Sequence, residues 1–199
     1  MNIQEKNGNL FTMGKINCMI DAADPYADII ISNTLINSVM STNATDTDFV
    51  FFCIGTTQVT GDSLGPLIGS QLEQLHLPQT TIYGTLEAPV HALNLEWKWQ
   101  AAKKKHPDSC FIAIDASFGP KAQLGNICVE NCPVHPGRGV GKCLPPIGDI
   151  SITGVVCQNC VMRHRQLEHT PFSSIQRQAN TILHGIFQTL LYFFILRRI

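Results

Sequence analysis

Two short, unbroken apolar runs constrain this chain more than any other feature: Phe49–Ile54 (FVFFCI) and Cys110–Ile114 (CFIAI). Runs this short are too brief for buried helices and show no polar alternation, so they read as strands covered on both faces. Such strands need helices above and below, and the sequence around them supplies these. Leu64, Ile68, Leu72 and Leu75 recur at helical spacing. Pro89–Lys105 reads as a second helix, with Leu95, Trp99 and Ala102 on one face and Lys103–Lys105 at the negative end. Thr80–Leu86 between them reads as a strand. Earlier in the chain, Asp24, Pro25 and Asp28 mark a helix start that Ile29–Met40 continues. Weaker strand signals lie at Asn126–Val129 and Ile150–Val156, separated by a Pro/Gly-rich loop over 131–146. From about Val161 the sequence is helical. The order predicts an α/β, three-layer fold with a largely parallel central sheet. It predicts a single domain over 1–199, with a loosely ordered lead-in over 1–23 and a C-terminal helical segment over 161–199.

Composition narrows the functional classes. With 14 Lys plus Arg against 15 Asp plus Glu, the net charge of −1 excludes a basic nucleic-acid binder and an acidic solvating tail. A 44% hydrophobic and 15% charged composition excludes disorder as the ground state. No secretory-signal pattern opens the sequence, so the expectation is a cytoplasmic protein whose eight cysteines are reduced. Cys128-x3-Cys132 and Cys157-x2-Cys160 have the spacing of zinc half-sites, but unliganded thiols and no bound cofactor are expected. The run Ile182–Leu196 is apolar but interrupted by His184 and Gln188. It falls short of the roughly 20 apolar residues a bilayer span needs. A terminal helix docked on the sheet is the favoured reading, with membrane contact, suited by Arg197 and Arg198, the less favoured one.

Open α/β sheets bind ligands outside the carboxyl ends of their strands. Asp62 follows the first buried strand, Glu87 and His91 follow the second, and Asp115 directly follows CFIAI. Two carboxylates and a histidine thus converge on one edge. Neighbouring carboxylates cannot both ionise easily, so one can activate water while the other protonates a leaving group. The same three residues could instead hold a divalent metal. The structural alternatives are a helix cap at Asp62, an Asx turn at Asp115 and a hydrogen-bonded core histidine at His91. The loop GTTQVTGDS matches neither the Walker nor the Rossmann phosphate-binding pattern.

Longer strings go further. They are CIGTTQVTGDSLGP (Cys53–Pro66), YGTLEAPVHALNL (Tyr83–Leu95), FIAIDA (Phe111–Ala116), PGRGV (Pro136–Val140), Leu144-Pro145 and GDISITGV (Gly148–Val155). Continuous and in register over 48–156, they resemble the YyaC family of sporulation proteins. That family is related to the germination protease that degrades small spore proteins and, more distantly, to hydrogenase maturation proteases. The resemblance implies a phosphorylase/hydrolase-like fold and an essential aspartate pair, Asp62 in D-x-L-G-P and Asp115 in D-A. Ser63, Glu87, His91, Asn94 and Asp149 are the accompanying substrate-contact candidates, with backbone N–H groups opening the Ser63 helix as an oxyanion site. The chain departs from the family at Thr57 and Gln58, where Asp and Arg are usual. His135 stands where Lys is usual, so no metal-ligand role is carried to it. The expectation is a peptidase-like sporulation protein acting on a protein or peptide, with no nucleic-acid partner. The alternatives are a non-catalytic sporulation factor using the same cleft and a metal-dependent hydrolase using Asp62, Asp115 and His91.

Overall fold

The computed structural model describes residues 17–42, 48–137, 144–159 and 163–196. In chain order the elements are β1 (Asn17–Asp21), α1 (Ala27–Ser41), β2 (Phe49–Cys53), α2 (Leu64–Gln74), β3 (Thr80–Tyr83) and α3 (Leu95–Lys105). There follow β4 (Cys110–Gly119), β5 (Asn126–Glu130), β6 (Ile150–Gln158), α4 (Arg163–Glu168) and α5 (Phe172–Leu196). The strands form one six-stranded sheet in the order β1-β5-β6-β4-β2-β3. The β3–β2, β2–β4 and β4–β6 pairs are parallel, and β5 runs antiparallel to both its neighbours. This is the three-layer α/β architecture with a largely parallel sheet.

The buried runs do what their composition requires. All five residues of β2 are buried, because helices lie on both sides of it. On one face Phe49, Phe51, Ile112 and Ile114 pack against Ile31 and Leu35 of α1, Leu64 and Ile68 of α2, and Ile182 and Ile186 of α5. On the other, Val50, Phe52, Phe111 and Ala113 pack against Leu95, Trp99 and Ala102 of α3. Trp99 sits edge-on to Phe52 and Phe111, at ring separations of 5.4 and 4.9 Å.

The C-terminal helix docks as its apolar pattern demands, but it starts at Phe172 and lies against α1 and α2 as well as the sheet. The Phe193 ring reaches Phe49 at 5.5 Å. Among the described residues no helix is long and apolar enough to cross a membrane.

Four sequence expectations need correction. Part of the lead-in, Asn17–Asp21, is an edge strand; its alternating burial and polar ends leave little local signal, and its partner β5 lies far along the chain. Residues 1–16 lie outside the described residues. The strand expected over Thr80–Leu86 stops at Tyr83, where Gly84 (φ 92°) turns beneath the Cys53 carbonyl, a place a Cβ would occupy. The helix expected from Pro89 begins at Leu95, since Val90 bridges to Ile54 instead. Finally, Asp115 is not at the end of its strand: β4 continues to Gly119 because β6 keeps pairing with it.

Candidate active site

The site grows from an alternation in the two central strands. Ile112 and Ile114 of β4, and Ile150 and Ile152 of β6, enter the core beneath α1, α2 and α5. Side chains alternate along a strand, so Asp115 and Ser117, with Ser151 and Thr153, emerge on the opposite face. There α3 covers β2 and the start of β4 but not the carboxyl halves of β4 and β6. The uncovered area is the floor of a cavity of about 840 Å³. Asp115 and Thr153 are register partners, and Ser151 pairs with Glu130 of β5, which also lines the cavity. The segment Cys132–Gly137 and Leu144 form another wall, tied down by the Val134–Ile147 bridge. Ile54, Val59, Asp62, His91 and Leu167 also line it.

Asp115 becomes accessible because β2 ends before β4 does. The Ile54 N–H donates to the Ile114 carbonyl at 2.7 Å, and the chain then leaves the sheet at Gly55 (φ 146°). It returns through a 3-10 turn, Thr60–Asp62. The Thr56 N–H donates to the Asp62 carbonyl at 3.0 Å, closing the loop over the end of β2. A Cβ at Gly55 would meet that same carbonyl, so the close approach requires glycine there. Leu167 and Thr170 press on Gly61 from the other side. The turn bearing Asp62 is therefore held between the sheet edge and the α4 segment.

Burial raises the Asp62 carboxyl to about 6, although the Thr56 backbone N–H favours its ionised form. Asp115 is raised well above the usual carboxylate range, first by burial and then by the negative charge of Asp62; the Ala116 N–H opposes this, donating to Oδ1 at 2.9 Å. The Asp115 side chain opens onto the cavity, but protein surrounds it, so solvent does little to stabilise its charge. Asp62 thus loses its proton first, leaving an ionised and a protonated carboxyl in one cavity near neutral pH.

The other candidates divide. His91 lines the cavity; its Nδ1 accepts from the Leu93 N–H at 3.3 Å. Asn94 does not line it but builds the loop that carries His91. Its Oδ1 accepts from the His91 N–H (2.9 Å), and its Nδ2 donates to the Pro89 carbonyl (3.1 Å) and lies 3.4 Å from His91 Nε2. Ser63 is buried, and its Oγ donates to the Thr60 carbonyl at 2.7 Å. No side chain caps α2, so Asp62 is not spent as a helix cap. Glu87 is exposed on the turn after β3, outside the cavity. Asp149 sits at the opposite, amino-terminal edge of the sheet. There it clamps β4 by accepting from the Phe111 N–H (2.9 Å) and donating its own N–H to the Phe111 carbonyl (2.7 Å).

Sequence reasoning missed Ser117, Ser151, Thr153, Glu130, Cys132 and His135 as lining residues. The I-S-I-T pattern of β6 carried the signal for two of them, apolar toward the core and hydroxyl toward the cavity. Among the described residues no group of three or more His, Cys, Asp or Glu is arranged to hold a metal ion. Of the cysteines with zinc-like spacing, Cys128 and Cys157 are buried in β5 and β6. Cys143 and Cys160, the latter half of one pair with zinc-like spacing, lie outside the described residues.

A family sequence model described as "Protein of unknown function (DUF1256)" matches residues 19–185. The "Uncharacterized protein YyaC" of Bacillus subtilis (strain 168) is 34% identical over 184 residues, covering 92% of this chain and 89% of that protein. The chain belongs to the YyaC (DUF1256) family. The YyaC family match encloses every lining residue of the cavity and both aspartates, and it ends inside α5.

Proposed function

We propose that this YyaC-family chain is a sporulation-associated, peptidase-like hydrolase in which Asp62 and Asp115 act as a pair on a polypeptide. The observation that carries this reading is the pair itself: two carboxyls line one cavity, both are raised by burial, and the charge of Asp62 raises Asp115 further. The chemistry follows from their order of ionisation. Ionised Asp62 accepts a proton from water as that water attacks a peptide carbonyl. Protonated Asp115 donates its proton to the carbonyl oxygen; as the C–N bond breaks, Asp62 passes the proton it took from water to the departing amine, and Asp115 recovers its own from the hydroxyl as the carbonyl re-forms. His91 on the rim contacts the bound chain, and the hydroxyls of Ser151 and Thr153 offer hydrogen bonds to it from the floor. A cavity of about 840 Å³ accepts a few side chains of a peptide.

The test is incubation of the purified protein with extracts of small spore proteins, with cleavage read by mass spectrometry. Wild type should cut at defined bonds, and Asp62→Asn and Asp115→Asn should each abolish turnover. Undiminished cleavage in either variant would remove that residue from the mechanism. No cleavage by wild type, combined with saturable binding of a spore protein that the variants retain, would favour the non-catalytic reading.

A further inference from the structure

The cavity does not extend equally on both sides of the aspartate pair. Toward the carboxyl ends of the strands its lining runs on through Ser117, Phe118 and Asn159. Toward their amino ends the described lining stops at Ser151. The parallel partner of Ser151 on β4 is Ala113, fully buried in one cluster with Ile147. Gly148 lies so close over it that a Cβ there would meet the Ala113 methyl. The turn before β6 therefore closes this end. Leu95 of that cluster, with Val134 and Leu144 packed against it, lines the walls. The result is a blind subsite with apolar sides.

Ser151 forms its base. It is only 3% exposed, yet its hydroxyl has no hydrogen-bond partner among the described residues. Buried polar groups are normally bonded, so this hydroxyl is set for a partner that arrives through the cavity. Beside it stands its antiparallel partner Glu130, which also lines the cavity. Glu130 already acts as an acceptor, taking the Asn17 side-chain amide at 3.0 Å. Oxygen acceptors thus gather at the blind end, and a group reaching them must donate. Depth sets the length of that group. Thr153, level with Asp115, lies two residues from Ser151, about 6.6 Å along the strand. A side chain next to a bond attacked at Asp115 reaches Ser151 only if it is long, and the apolar walls suit a methylene stem.

We propose that this blind end is a specificity subsite for a residue flanking the cleaved bond, selecting a long methylene stem that ends in N–H donors, as in lysine, arginine or glutamine. Ser151 accepts from that tip and Glu130 supplies a second acceptor. The inference rests on the polypeptide reading above, and binding tests it apart from cleavage. Dye-labelled alanine hexapeptides with one central Lys, Arg, Gln, Met, Leu or Glu are titrated against the full chain carrying Asp62→Asn, with fluorescence anisotropy as the readout. The Lys, Arg and Gln peptides should bind about tenfold or more tightly than the other three, the worth of a hydrogen bond in a desolvated site. Adding Ser151→Ala should bring all three down to the Met peptide. Adding Glu130→Gln should weaken the Lys and Arg peptides and spare the Gln peptide. Thermal unfolding checks that each variant is folded, and Val134→Phe, which narrows the subsite from a half-buried wall, should act as Ser151→Ala does. Equal binding of all peptides, or a preference for Met, Leu or Glu, would overturn the proposal. So would an N–H preference that survives both Ser151→Ala and Val134→Phe, which would mean general attraction to an acidic cavity. Wild type should cut the tightly bound peptides beside the recognised residue. Tight binding that depends on Ser151, without cutting by wild type, would uphold the subsite and count against the peptidase reading.

Discussion

The two faces of the sheet are built from the same strands yet treated oppositely. Beneath α1, α2 and α5, the inward residues of β4 and β6 are isoleucines packed into one continuous core. On the other face α3 stops early, and the same strands present Asp115, Ser117, Ser151 and Thr153 to an open cavity. Neighbouring residues thus serve different ends: Ile152 holds the fold together, while Thr153 faces the space where chemistry would occur. The uncovered patch is also where burial raises carboxyl groups, because it is walled by protein without being filled by it.

That contrast is most sharply broken by substitution along a single strand. Ile152→Ala, on the covered face, should cost about 2–5 kcal/mol through lost burial and the cavity left behind. Thr153→Val, one residue on, should change stability by no more than about 0.5 kcal/mol, since its side chain borders open space. Chemical denaturation of both variants checks this, and equal losses would mean that the cavity face is packed like the core.

A smaller effect concerns the carboxyls. Asp62 rises from 3.8 to about 6 on folding. A raised carboxyl contributes stability that is fully present below its unfolded value and lost as pH rises through its folded value. Asp62 should therefore cost stability progressively between about pH 4 and pH 7. After discounting for its partial exposure, the cost is about 1–2 kcal/mol. Asp62→Asn should consequently melt a few degrees above wild type at pH 8, the gain disappearing by about pH 4. Thermal scans across pH decide this, and a gain confined to acid pH would reverse the sign assigned to Asp62.

The smallest expected effect tests the loop at the rim. Asn94→Ala removes the bonds to the His91 N–H and the Pro89 carbonyl and should cost about 1 kcal/mol. The His91 ring resonances should shift while those of Trp99, packed in the α3 core, stay in place. A simultaneous shift of both would show that Asn94 supports the whole layer rather than the loop.

Much of this contrast was legible in the sequence. FVFFCI and CFIAI announce strands covered on both sides, and the periodic leucines of α2 announce their cover. Asp62 and Asp115 could be paired because parallel strands end on a common edge. What could not be read depended on distant parts of the chain. Asp115 is accessible only because β2 ends at Cys53 while β4 runs on. Asp149 is a substrate-contact candidate in sequence, but the direction of β6 sends it to the opposite edge as a clamp on Phe111. Asn17–Asp21 becomes a strand only through β5, with which its residues pair from Asn17↔Glu130 to Asp21↔Asn126.

The central claim is that Asp62 and Asp115 form one electrostatic unit, and carboxyl carbon NMR titration of wild type and Asp62→Asn tests it without any substrate. In wild type, Asp62 should titrate near 6 and Asp115 should keep its proton to higher pH. In Asp62→Asn, the Asp115 midpoint should fall, because the charge that raised it is gone, yet stay above the ordinary range because burial remains. Two independent titrations near 4, with Asp115 unmoved by the substitution at Asp62, would contradict the pair.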